Sequence, residues 1–452
     1  MAKADRDAVL RARKRVPPPG GALLEDTEKM KQKHHRMLCA FCALVILVST
    51  VFPTAAFAEQ PVDAAAAEQT LTRADAAEMQ QADAAVTALT ESEQYQEMDT
   101  DTRKDAALAQ LDTLAAKGLV EKDSIYADEE NGMVSFRYPC GVLGGILLTE
   151  PEDETLDEEN AETETTSNAL PLRLPPDLGA EMQKSRAALL RRTENQAVEK
   201  FGTAVIYYAF DNTINSSRFP YYAYMQGFWS ALGLETKINI HVTVADLKKM
   251  GNYNVSVLSA HGSYYTYSYG KFLKRTRTEP IMLLTEESTF GKDLRYGFDL
   301  LAHRVIKVNG MYCVTSDFFR NAYKGGKLSN TIVYSETCEF LGVDGSEDNA
   351  MADALLSGGA QAVIGYVNNV YTVYSRSMLW DTINHLIMGQ NVGQALEHAK
   401  ATYGEDDLIW YHAQGGRRPH AAASYAVLYG NSQAALHVPE SNRSMFSADL
   451  AA

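Results

Sequence analysis

Two apolar runs in the middle of the chain stop on reactive side chains. In Tyr253–Ser263, Val255, Val257 and Leu258 lead to His261-Gly262. In Asn330–Phe340, Ile332, Val333 and Tyr334 lead to Ser335-Glu336-Thr337-Cys338-Glu339. Short apolar runs bounded by polar residues predict buried strands. Thr203–Phe210 predicts an earlier strand ending at Asp211, and Pro220–Leu234 a helix with Tyr224, Phe228, Trp229 and Leu232 at core spacing. Ile238, Ile240 and Val242 alternate with polar residues and predict a strand over Lys237–Val244, with His241 on its other face in a structural role. A helix, a glycine turn and a strand follow over Met351–Val367, then helices over 373–389 and 392–403.

The intervening segment 264–330 reads as an insertion. Its tyrosine-rich start, Tyr264–Gly270, suggests a hairpin, which either packs on the sheet or walls a cleft. Strands are expected over Ile281–Leu284 and Val305–Val314, the second folded back at Asn309-Gly310. Upstream, Leu71, Ala74 and Met79, then Leu108, Leu111 and Leu114, predict amphipathic helices. Gly132–Cys140 and Gly141–Leu148 read as a β-hairpin.

These patterns divide the chain. Residues 1–58 read as a secretory signal: a basic Lys31–Arg36, an apolar Met37–Phe52 and a small-x-small Ala56-Phe57-Ala58. Met30 would open a signal of conventional length. The expected location is secreted or cell-surface, with membrane contact only through this segment if it stays uncut. Residues 59–148 form an N-terminal accessory or pro-segment, and 149–197 an acidic, proline-containing linker. The main domain spans 198–440, with a tail at 441–452. Leu190-Arg191-Arg192-Thr193 and Lys274-Arg-Thr-Arg277 are candidate processing sites.

Charge and cysteine content narrow the chemistry. The net charge of −16 argues against a nucleic-acid partner, because that affinity needs a basic face. Beyond residue 58 the cysteines are Cys140, Cys313 and Cys338, an odd number that leaves at least one free thiol. No Walker loop, His-Glu-x-x-His or Cys-x-x-Cys occurs there, which lowers nucleotide, zinc-peptidase and thioredoxin-type readings; no metal ligands are assigned.

Chemistry in an open α/β sheet sits beyond the carboxyl ends of parallel strands. Strands ending in His261-Gly262 and in Cys338 would bring an imidazole and a thiol together. A thiolate can attack a carbonyl carbon while the imidazole protonates the leaving amine. The backbone N–H groups of Gly262 and Cys338 are candidate oxyanion donors. A lone cysteine at a strand end is usually a small buried hydrophobe, so the weight rests on the joint pattern.

Over roughly residues 200–400 that pattern resembles the caspase-like cysteine peptidases, the group holding clostripain, gingipains, legumain and caspases. The matched features are Thr203–Asn212, the strand to His261-Gly262, the strand to Glu336-Thr337-Cys338-Glu339, and Met351–Gly365. The long 264–330 segment departs from the smaller family members. The resemblance implies a mostly parallel sheet flanked by helices, preceded here by the α-helical and β-hairpin N-terminal segment. It implies a His261/Cys338 dyad, protein or peptide substrates, and a zymogen. No cofactor is required, though some relatives use Ca²⁺. Asp211 and Glu336 occupy the places of S1 walls, which favours cleavage after Arg or Lys. A legumain-like preference for Asn, and a catalytically idle surface-binding or scaffold module, stay open as alternatives.

Overall fold

The computed structural model describes residues 70–148, 178–193, 198–210, 220–270, 274–408 and 423–446. All lie in the compact unit Val62–Ala452. The signal segment, most of the acidic linker, Asp211 and the Trp410–His412 stretch fall outside the described residues.

One sheet carries β4 (Gly202–Ala209), β5 (Leu234–Asn239), β6 (Val255–Ala260), β11 (Ile332–Ser335), β14 (Ala362–Val367) and β15 (Tyr425–Gly430). Their order is β15-β14-β11-β6-β4-β5, parallel except for β15. Alternation explains its layers. Ala204, Ile206, Tyr208, Val257 and Ile364 face a core with α4 (Leu178–Thr193), α5 (Tyr221–Ala231), α10 (Thr372–Ile387) and α11 (Val392–Tyr403). Val205, Tyr207, Leu258, Val333 and Val363 face the opposite core, with α6 (Val244–Leu247), α8 (Ser316–Ala322) and α9 (Ala350–Ser357). Apolar residues on both faces are the signature of a sheet covered on both sides.

A second sheet joins segments that are far apart in sequence. It contains β1 (Tyr126–Asp128), β2 (Met133–Arg137), β3 (Leu143–Leu147), β7 (Gly262–Tyr269), β8 (Arg275–Glu287), β9 (Val305–Val308) and β10 (Met311–Thr315). The order is β1-β2-β3-β9-β10-β8-β7, and only the β3–β9 pairing is parallel. The sheet curls until its ends meet: Arg137 on β2 donates to the Ser268 carbonyl on β7 at 2.9 Å. Met133, Leu143, Tyr265, Ile306 and Cys313 fill the inside.

Several sequence expectations need correction. The insertion and the N-terminal hairpin form this one sheet, not separate additions. Of the two readings of the β7 tyrosines, sheet packing is the one observed: Tyr265 is fully buried and donates to the Gly144 carbonyl at 2.8 Å. Strand β5 ends at Asn239, so His241 lies in an exposed turn and not on a strand face. Residues 342–349 contain a small hairpin of β12 (Gly342–Val343) and β13 (Ser346–Glu347). The region after 405, for which the sequence pattern predicts no element, supplies β15 and α12 (Glu440–Phe446). Asn442 of that helix is buried and donates to the Glu199 carbonyl at 2.7 Å, so the tail boundary at 441 cuts through the fold.

The N-terminal helices dock through charge as well as apolar contact. Helix α1 (Arg73–Thr90) starts at a Thr72/Asp75 capping box and buries Ala76, Met79, Ala82 and Val86. A short α2 (Glu93–Gln96) and α3 (Thr100–Ala116), capped by Asp99, follow. Asp83 of α1 and Asp293 of α7 (Phe290–Leu301) flank Lys307, which is 1% exposed. Lys307 lies 3.0 Å from Asp293 and also contacts Asp83. Tyr138 donates to Asp83, and Tyr312 and Gln80 each donate to Asp293 at 2.8 Å.

Removing one partner of a buried ionic cluster strands the others without compensation. Lys307→Met is expected to lower unfolding stability by about 3–5 kcal/mol, read from urea unfolding at neutral pH. A loss below about 1 kcal/mol, the range of an exposed pair, would show that the cluster does not hold the N-terminal helices.

Candidate active site

The site begins with a register. β11 and β6 pair in parallel, with Ser335 opposite Leu258. Cys338 follows Ser335 by as many residues as His261 follows Leu258, so the two leave neighbouring strands at matched positions. The Glu336 N–H donates to the Leu258 carbonyl at 2.8 Å and extends the ladder toward them.

His261 is the single residue between β6 and β7. The chain passes there from the parallel sheet to the curled one. Its carbonyl accepts from the Leu283 N–H at 2.9 Å, and its ring meets Phe210 edge-on with centroids 4.5 Å apart. Gly262 has to be glycine: an added Cβ would lie 2.1 Å from the Cys338 carbonyl oxygen and 2.5 Å from Thr337 Cγ2. The two motifs are therefore in backbone contact.

Cys338 is a half-buried free thiol. The Val370 N–H approaches its Sγ at 3.4 Å, and the thiol in turn faces the Val370 carbonyl at 3.9 Å. Cys140 and Cys313 are also free, and burial raises both their pKa values. Cys313 is fully enclosed in the curled sheet, so of the two it is the less able to react.

Both motifs line one cavity of about 350 Å³. Glu336 lies in its wall and is 6% exposed. Its carboxylate accepts from Tyr222 at 3.0 Å and Ser375 at 3.4 Å, while Tyr222 also meets Ser259 at 3.0 Å. Burial pushes the Glu336 pKa up to about 7, against the opposing hydrogen bonds from Tyr222, Ser259 and Ser375. Glu339 also lines the cavity, and burial with nearby Asp344 pushes it up to about 7.

The turn between β1 and β2 supplies another wall. Glu129, Glu130, Asn131 and Gly132 line the cavity, and Lys104 on α3 pairs with Glu129 at 2.7 Å. The described lining thus holds four carboxylates and neither Lys nor Arg. Sequence reasoning reached His261, Gly262, Glu336 and Cys338. Tyr222, inside the Pro220–Leu234 helix pattern, and the Glu129–Gly132 turn, inside the 59–148 segment, carry no such motif. A turn signal is present in Asp128-Glu-Glu-Asn-Gly132, but nothing local ties it to His261 or Cys338.

The remaining expected residues lie elsewhere. Asp211 is outside the described residues. Arg277 sits within β8 opposite Tyr267, paired with Asp317 at 3.2 Å and Glu279 at 3.4 Å. A protease would have to strip it from the ladder, so the fold argues against processing there. Arg191 and Arg192 lie at the end of α4, where the backbone is helical.

No family model matches the chain, and no curated protein matches it. The geometry therefore carries the functional reading.

The Glu336 pKa gives a signed stability test. Below the ordinary carboxyl value of 4.5, folded and unfolded chains both keep the proton. As pH rises through about 7, the folded chain must carry a buried charge that the unfolded chain solvates. Glu336 therefore costs stability at high pH, up to about 3 kcal/mol. Glu336→Gln is expected to match the parent near pH 4 and to gain by about that amount above roughly pH 8. A stability difference that does not grow with pH would show that Glu336 titrates normally.

Proposed function

We propose that the chain is a cysteine endopeptidase of the caspase-like type, acting outside the cytoplasm and cleaving after Arg or Lys. One observation carries the reading: His261 and Cys338 leave adjacent parallel strands in matched register and open into the same cavity as Glu336. The six-stranded, mostly parallel sheet with helices on both faces supports the caspase-like assignment.

In this reading the Cys338 thiolate attacks the scissile carbonyl carbon, with the Gly262 and Cys338 N–H groups holding the oxyanion. His261 protonates the leaving amine, and water then hydrolyses the acyl-enzyme. Glu336 receives the basic P1 side chain. A guanidinium beside it would restore ordinary carboxylate acidity, since an opposite charge favours the ionised form. The other carboxylates of the cleft favour cationic substrates at longer range.

The test uses Arg-, Lys-, Asn- and citrulline-P1 fluorogenic peptides with the parent chain, Cys338→Ala and Glu336→Ala. Arg and Lys cleavage lost in Cys338→Ala, with basic preference lost in Glu336→Ala, is expected. Asn cleavage would keep the nucleophile and overturn the pocket. Silence with every peptide, including after a cut at Arg192 that leaves the N-terminal strands docked, would favour an idle scaffold.

The Arg-over-citrulline ratio of kcat/KM separates Glu336 from the dyad, because dyad titration cancels in a ratio. It is expected to grow by about tenfold or more from about pH 6 to about pH 8 as Glu336 ionises. A flat ratio would remove Glu336 from the P1 site.

A further inference from the structure

Away from the cavity, α10 and α11 pack side by side and bring together Asp381, His385 and His398. Asp381 and His385 are one helical turn apart on α10, and His398 faces them from α11. One ligand atom from each lies within 4.8 Å of the other two. The two Asp381 oxygens face the two imidazoles separately: Oδ2 is 2.7 Å from His398 Nδ1, and Oδ1 is 3.7 Å from His385 Nε2. The rings are tilted together with centroids 3.7 Å apart.

His385 is only 4% exposed; its ring interacts with the Gln390 side chain, and its Nε2 faces the Asp381 carboxylate at 3.7 Å, too long for a hydrogen bond and open to a bridging ion. His398, in contrast, is 44% exposed, so the cluster is open to solvent on the α11 side.

We propose that Asp381, His385 and His398 form a site for one divalent transition-metal ion of the zinc class. Two imidazoles and one carboxylate suit Zn²⁺, Co²⁺ or Ni²⁺, whereas Ca²⁺ and Mg²⁺ prefer all-oxygen sets. The ion replaces the proton shared by Asp381 and His398, which leaves to solvent. Water fills the open coordination position. Bound there, the ion staples α10 to α11. The first turn of α10 supplies Thr372 and Ser375 to the cavity, so the staple steadies that wall without touching substrate. This site stands independently of the peptidase reading.

The test uses the full chain carrying Cys338→Ala, which removes the cavity thiol as a competing ligand. Co²⁺ titration is expected to give the visible absorption of a four- or five-coordinate ion, saturating at one equivalent. Zn²⁺ should abolish the band, and either metal should raise Tm in a concentration-dependent way. Adding His398→Ala is expected to remove both the band and the Tm rise. His398→Ala also loses the contact to Asp381, so each variant's own metal-free Tm is its baseline and the metal-induced rise is what is read; Asp381→Asn provides a second variant. Absence of a band, or an equal band in His398→Ala, overturns the site.

Discussion

Everything at the cleft depends on a junction one residue long. β6 belongs to the parallel sheet and β7 to the curled sheet, and only His261 lies between them. A longer connection would let the imidazole wander; here its backbone is tied on both sides. The Leu283 N–H holds the His261 carbonyl from β8, and Gly262 rests against the Cys338 carbonyl. Building on ladders and not on free loops is what keeps reacting groups in place. The same junction explains why a second sheet exists at all. The strand that leaves His261 needs partners, and β8 supplies them through eight residues of antiparallel pairing from Gly262–Met282 to Tyr269–Arg275.

The curled sheet then recruits the N-terminal segment. β3 pairs with β9 at Gly144–Lys307 and Gly145–Val308, a short contact by itself. The Lys307 cluster reinforces it, drawing α1, α7 and the curled sheet onto one buried cation. Burying a charge is costly unless its partners are in place. The cluster therefore favours the one docking arrangement in which Asp83 and Asp293 both reach it. That arrangement puts the Glu129–Gly132 turn at the cavity. A segment that looks detachable in sequence is thus structurally joined to the cleft wall.

The parallel sheet was readable in the chain because its strands are local signals. Thr203–Phe210, Tyr253–Ser263 and Asn330–Phe340 announce themselves by apolar residues stopping at a polar one, and Ala362–Val367 coincides with β14. Asn309-Gly310 likewise marks a real turn, with φ of 47° and 77°. The failures have one physical cause. Pairing between distant strands leaves no local trace, so β3 beside β9 and β15 beside β14 were invisible. At β5, Ile238 and Ile240 gave the right alternation but the wrong end, because Ile240 is 45% exposed and not packed. His261, Cys338 and Glu336 were legible as motifs; Tyr222 and Ser375 were not, because their place comes from helices converging on a carboxylate.

That convergence centres on α10. Arg376 lies over the rings of Tyr221 and Tyr222, 4.7 and 5.2 Å from their centroids, and fixes α10 against α5. Burial pulls the Arg376 pKa down to about 9, which still leaves it cationic at neutral pH. Trp380 continues the contact onto Phe228 with centroids 4.8 Å apart. Tyr222, held from one side by Arg376, donates on the other to Glu336. Ser375, one residue before Arg376, donates to the other Glu336 oxygen. The carboxylate is therefore oriented by two helices that are themselves locked together by stacking. A buried acid costs stability, and hydrogen bonds lower that cost only when their donors cannot turn away. The stacked arginine is what keeps the tyrosine donor aimed, so the geometry of the cavity wall and the packing between the helices are one property.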